Sequence, residues 1–270
     1  MVPSSKGGME FAKPLLATFA AMCRNTTFIL LLSLLSPAFA DAQDAPKREI
    51  EATITGTAKD TIYLANYYGS KLYYADTAIA DTKGKVVFHS AKGYKAGVYA
   101  IVAPGPKYFE VVVNEPVIKL VTDTADLLGN LEVKVSKENQ VFLDYIRYLN
   151  EKKKESDVLR TQMDKNQDPI GRNGLKAQME DLDKAVKTYQ NELVANNPGT
   201  LAASLVKMSM AVELPEIRKP DGSLDSAAQY YQYRAHYWDN FDLKDERIVR
   251  VPVFANKFDE YIGRTIPQFP

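Results

Sequence analysis

The sequence predicts an α+β protein, with an N-terminal antiparallel β-sandwich or barrel followed by an all-helical region. Three observations lead there. From about residue 47 to 135, short β-branched and aromatic runs alternate with Gly, Pro and Asx turn signals. From 136 to 270, apolar residues recur at steps of three and four. Hydrophobic residues make up 46% of the 270, enough to bury a sizeable core.

The chain opens with a leader. Residues 28–35 are a short apolar run preceded by Arg24 and followed by Ala38-Phe39-Ala40, a small-residue cleavage pattern. The run is too short to span a bilayer by itself. We read residues 1–40 as a secretory signal peptide cleaved after Ala40, with Met22 as a candidate true start. The chain is then exported and periplasmic, with no stable membrane anchor after cleavage. Cleavage removes Cys23, the single cysteine. The mature chain therefore has no thiol for a disulfide, a nucleophile or a thiolate metal site. Basic and acidic residues balance at 34 each, so no electrostatic footprint for nucleic acid is present.

Strands are expected at 49–54, 61–68, 71–74 leading into 76–80, 85–89, 97–102, 108–113, 117–121 and 131–135. Asp81-Thr82-Lys83-Gly84 reads as a turn, with 85–89 as the second arm of a hairpin. Eight of the 16 tyrosines fall between Tyr63 and Tyr108. They suit an aromatic platform for a glycan or peptide. Tyrosine also favours strands and packs sandwich faces with its hydroxyl at the rim, and we prefer that reading.

Ser136 is a candidate N-cap, with Glu138 facing the dipole of its own helix. That helix runs to a break at Asp168-Pro169-Ile170-Gly171. In the next, Leu175, Met179, Leu182, Val186, Tyr189 and Leu193 form an a/d stripe. The stripe suits a dimerisation seam or contact with the preceding helix; its span of under three heptads favours contact. Thr200 caps a third helix, ended by Leu214-Pro215. A fourth is expected over 223–237, and a fifth after Val251-Pro252.

The stretch His236-Tyr237-Trp238-Asp239-Asn240-Phe241-Asp242 holds the only Trp and one of the two His. Asp239, Asp242, Asp245 and Glu246 lie near it. They suit an acid/base carboxylate pair or helix punctuation, with Asp239-Asn240 ending one helix and Asp242 capping another. Punctuation is the simpler account, with Arg247 and Arg250 as counter-ions. No nucleophile elbow, zinc motif, Walker loop or dinucleotide fingerprint occurs, and Asp123-Thr124-Ala125-Asp126 lacks the Gly and Glu of a calcium loop. His89 has no acidic or His neighbour in sequence. No catalytic, cofactor-binding or metal-binding residue is assigned, and no cofactor is expected.

Residues 76–88 followed by Gly97-Val98-Tyr99-Ala100-Ile101 resemble the β-rich domain of unknown function that precedes thioredoxin-like domains in exported bacterial thiol–disulfide oxidoreductases. The 236–242 stretch, with Val251-Pro252-Val253-Phe254-Ala255-Asn256-Lys257, resembles the helical segment between those parts. The resemblance implies a non-catalytic region that positions a redox domain, contacts client proteins or forms a homo-oligomer. In such proteins the chemistry lies in a later Cys-x-x-Cys domain, for which this chain offers no matching residue. The ending Gly263-Arg264-Thr265-Ile266-Pro267-Gln268-Phe269-Pro270 reads as a truncation, with Pro270 entering a further helix. The alternative is a free-standing periplasmic binding or scaffold protein with a Tyr-rich sandwich.

Overall fold

The structure, a computed structural model, describes residues 46–105 and 107–266. The leader segment, with Met22, Cys23 and Ala40, and residues 267–270 lie outside the described residues. Eight strands come first: β1 (Glu49–Thr55), β2 (Thr61–Tyr68), β3 (Lys71–Ile79), β4 (Lys85–His89), β5 (Gly97–Ala103), β6 (Lys107–Val113), β7 (Val117–Asp123) and β8 (Glu132–Val135). Five helices follow: α1 (Lys137–Lys165), α2 (Pro169–Asn196), α3 (Leu201–Ser209), α4 (Ser226–His236) and α5 (Pro252–Glu260). A 3₁₀ turn, Glu246–Arg250, precedes α5, and a π turn, Tyr261–Thr265, follows it. The α+β class and the order of strands before helices are as the patterning predicts.

The strands form two four-stranded sheets, β4-β1-β7-β8 and β3-β2-β5-β6, and so a sandwich rather than a closed barrel. Pairing is antiparallel except between β1 and β7, which run parallel from Glu49–Val117 to Thr55–Asp123. β1 alternates strictly, burying Ile50, Ala52 and Ile54. These meet Ile62 and Leu64 of β2, Phe88 of β4, Ile101 of β5, Val111 of β6 and Leu120 of β7 in one core. Leu127, Leu131 and Leu143 join the same core. Outside, Glu51 takes Lys85 at 3.0 Å and Lys119 at 3.5 Å across neighbouring strands. Such exposed pairs add little stability.

The expected hairpin of residues 71–89 is corrected. The turn at Asp81–Gly84 forms, with Gly84 N–H donating to Asp81 C=O at 3.1 Å. The chain nevertheless changes sheet there: β3 pairs with β2, and β4 with β1. Gly84 is required at this crossing. Its φ is +81°, and a Cβ would lie 2.1 Å from the Ile54 carbonyl oxygen.

The second face of the β3-β2-β5-β6 sheet is covered by helices. Tyr67, Val98 and Val112 pack against Leu201, Leu205 and Met208 of α3, and against Phe241, Ile248 and Val251. β5 is thus buried on both faces, with Val102 its one partly exposed residue. This explains its unbroken apolar run. The molecule is layered sheet on sheet on helix.

Ser136, Thr200 and Asp168 accept hydrogen bonds as N-caps of α1, α3 and α2, and Pro169 and Pro252 begin their helices. α3 stops at Ser209, well before the expected Leu214-Pro215. Met210 turns extended, and its carbonyl accepts from Asn240 Nδ2 at 3.0 Å. The tertiary bond replaces continuation of the helix. The a/d stripe of α2 packs at its root: Tyr189 stacks on Tyr148 of α1 at 4.0 Å, and Leu193 joins Tyr145 and Val206.

Candidate functional site

The 236–242 stretch forms a corner between α4 and the 3₁₀ turn. Asp239 N–H donates to His236 C=O at 3.0 Å, and Phe241 N–H to Trp238 C=O at 2.9 Å, so the chain reverses within one turn. Trp238 sits among Tyr237, Phe241, Phe254, Phe258 and Tyr261, with ring centroids 5.0 to 6.5 Å away. Tilted and edge-on rings of this kind pack favourably. The buried Tyr237 hydroxyl donates to Lys257 C=O at 2.9 Å and lies 3.0 Å from Glu260. Burial and the Glu260 carboxylate push its pKa up, so it stays a neutral donor. The corner therefore ties α5 to α4 and presses Phe241 onto the sheet.

The carboxylates do not converge. Asp242 accepts from Lys244 N–H at 3.0 Å. The expected cap moves from Asp242 to Asp245, which caps the 3₁₀ turn through Arg247 N–H and grips the Arg247 guanidinium at 2.8 to 3.0 Å. That fork holds the Asp245 carboxyl below its ordinary range. Asp239 Oδ2 meets His236 Nδ1 at 2.7 Å, with both side chains about half exposed. A His–Asp pair orients a base for a nucleophile. The nearby Ser209 hydroxyl is engaged with Val206 C=O and Tyr145. His89 lies exposed at the end of β4. Among the described residues no group of three His, Cys, Asp or Glu could hold a metal ion. No helix among them is long and apolar enough to cross a membrane.

Beside the corner lies a cleft of about 560 Å³, within the usual range for ligand sites. Asp183, Lys187 and Gln190 of α2 form one wall, the segment from Met210 to Glu213 another, and Asp239 and Asn240 close it.

The strand region then carries the comparison. Residues 49–142 match the family described as Domain of unknown function (DUF4369). No curated protein sequence matches the chain. Among solved structures, the crystal structure of (S)-allantoin synthase aligns at 12% identity with a TM-score of 0.25, over 44% of this chain. The chain covers 54% of that protein.

The matched region ends inside α1, just past two residues that bind the layers together. Asn139 accepts from Val112 N–H and donates to Val112 C=O, both at 2.8 Å. Glu138 is buried, and its role differs from the expected one. It accepts from Leu201 and Ala202 N–H at 2.8 and 3.1 Å, and from Asn114 at 2.6 Å. It thus caps α3, while Glu115 from the β6–β7 turn accepts from Lys137 and Glu138 N–H and caps α1. Sequence reading missed this relay. The only local signal was a pair of polar residues at a helix start.

The tyrosines of the strand region divide. Tyr67, Tyr94 and Tyr99 are buried, with hydroxyls on Glu110, Asp76 and Lys95 C=O. Tyr63, Tyr68, Tyr73, Tyr74 and Tyr108 stay exposed, and Tyr63 and Tyr74 touch at 4.9 Å.

Proposed function

We propose that residues 47–266 act as a non-catalytic carrier in an exported thioredoxin-like protein, positioning a redox domain or contacting client proteins. The observation that carries this is the capping relay. Polar groups that an active site would leave free are engaged here in joining layers: Glu115 to α1, Glu138 to α3, and Asn139 to β6. The resemblance of residues 76–88 and 97–101, and of the 236–242 and 251–257 stretches, to the parts that precede the redox domain in such proteins supports the same reading.

The gene itself tests the proposal. A Cys-x-x-Cys codon pattern, placed between a strand and a helix downstream of codon 270, is the expected result. A stop codon directly after Pro270 overturns it. That outcome favours a free-standing periplasmic binding or scaffold protein, for which the five exposed tyrosines offer a contact surface. For export, N-terminal sequencing of the secreted protein should begin at Asp41. A mature chain that keeps residues before Ala40 contradicts the leader reading.

A further inference from the structure

The sheet β3-β2-β5-β6 has two edges, and they are finished differently. At β6, Asn139 takes the outward N–H and C=O of Val112. No such cover lies over β3 among the described residues. That strand is nine residues long, and none of them is buried. Leu72, Tyr73, Tyr74 and Ile79 are 39, 50, 73 and 73% exposed. It carries no proline, and its single lysine is Lys71, at the start. A long edge this apolar and this lightly guarded is a template for another strand.

The edge is also irregular in a way that selects its partner. Lys71 pairs with Tyr68 across the two-residue turn Gly69-Ser70, and Ala80 N–H donates to Asp60 C=O at 2.9 Å. Alternation from these two ends points the backbone groups of Leu72, Tyr74, Thr77 and Ile79 away from β2. They recur at every second residue except across the bulge at Ala75, where Tyr74 and Thr77 stand three apart. A regular strand laid alongside falls out of step there. A second β3 running antiparallel stays in step, since it carries the same gap at its centre. Leu72 of one copy then faces Ile79 of the other, and Tyr74 faces Thr77, with the twofold axis between Ala75 and Asp76. All four side chains share the sheet face of Tyr63 and Tyr67, the β2 neighbours of Thr77 and Leu72.

We propose that β3 pairs antiparallel with β3 of a second copy of this chain, joining two four-stranded sheets into one of eight strands. Charge follows the same register. Lys71, exposed at the start of one strand, lies beside Asp81, exposed just past the end of the other. Covering Leu72, Tyr73, Tyr74 and Ile79 on both copies removes roughly 1,000 Å² from water, about the least a specific interface buries. Thr77 N–H is already engaged, at 2.7 Å from the Asp76 carboxylate beside it, and pairing replaces that local contact with a ladder bond. β3 belongs to the sandwich and needs nothing downstream of residue 270, so this pairing and the carrier role can fail separately.

Sedimentation of the protein from micromolar to millimolar concentration should show a saturable monomer–dimer equilibrium. Leu72→Lys with Ile79→Lys sets like charges across the pairing. It should weaken association about ten-fold or more, with the remaining amide resonances at their folded positions. Register is read by cross-linking in a Cys23→Ser background. Leu72→Cys with Ile79→Cys should give a disulfide-linked dimer on oxidation, because opposed residues lie about 5 Å apart. Within one chain the same two positions are about 23 Å apart and cannot join. Leu72→Cys alone should stay unlinked. A monomer at every concentration overturns the proposal. So does an affinity unchanged by the paired lysines, or equal linkage in the single-cysteine protein.

Discussion

The amide of Asn139 reaches Val112 with its oxygen and its nitrogen together, so a side chain satisfies both outward backbone groups of an edge strand. Asn139→Leu strands that N–H and C=O in a buried setting, and should lower stability by about 2–4 kcal/mol in urea unfolding. A loss below about 0.5 kcal/mol would show that water replaces the amide. Asp245 offers a pH-dependent counterpart. The Arg247 fork depresses its folded pKa, so the pair's contribution is complete above the unfolded value near 3.9 and is lost as pH falls through the folded one. Asp245→Asn should therefore cost about 1 kcal/mol at neutral pH and progressively less at an acid pH, as the folded carboxyl takes up its proton. An equal cost at both pH values would refute the charge argument. Ser136 and Thr200 were legible from sequence because their partners lie within one helical turn, and Pro252 because its fixed φ suits a helix start. Glu138 and Asn139 were not, since their partners lie 63 and 27 residues away, beyond any local pattern.

At the scale of elements, the contact between β5 and the 3₁₀ turn is close. A Cβ on Gly97 would sit 2.7 Å from Arg250 Cβ and 3.0 Å from its carbonyl oxygen, while Arg250 Nε donates to Ala96 C=O at 2.7 Å. Gly97→Ala should push the turn off the sheet at a cost of about 1–3 kcal/mol, with faster amide exchange over 246–250. Unchanged exchange there would mean that the backbone yields without parting the layers. Strand positions were legible because period-two alternation survives in β1, β4 and β7. Which strands pair was not. The sheet change after β3 and the parallel register of β1 with β7 depend on packing between sheets, which turn residues do not encode. The early end of α3 was hidden for the same reason: a side chain 30 residues on, Asn240, takes the Met210 carbonyl.

Across the whole molecule, cohesion is uneven. The buried residues of α1 are Glu138, Asn139, Leu143 and Tyr145, all near its start, and those of α2 are Leu175, Gln190 and Leu193. Helices of 29 and 28 residues are each about 42 Å long, so their outer halves rest mainly on each other. Amides from 152 to 185 should exchange well before those of β1, β2 and β5, opening as a separate unit. Equal protection along the hairpin would contradict this. The doubly covered β5 has a consequence for biosynthesis. As the chain emerges N-terminus first, both sheets can close while the outer face of Val98 and Val112 still has nothing over it. Val251, which finishes that cover, is made about 140 residues after Val112, a delay on the order of ten seconds at ribosomal speed. During that interval the nascent chain displays a sticky sheet surface. It is then a natural client for a holding chaperone, and a variant that slows assembly of α3 or the corner would first reveal itself as aggregation in the cell rather than as a weaker folded protein.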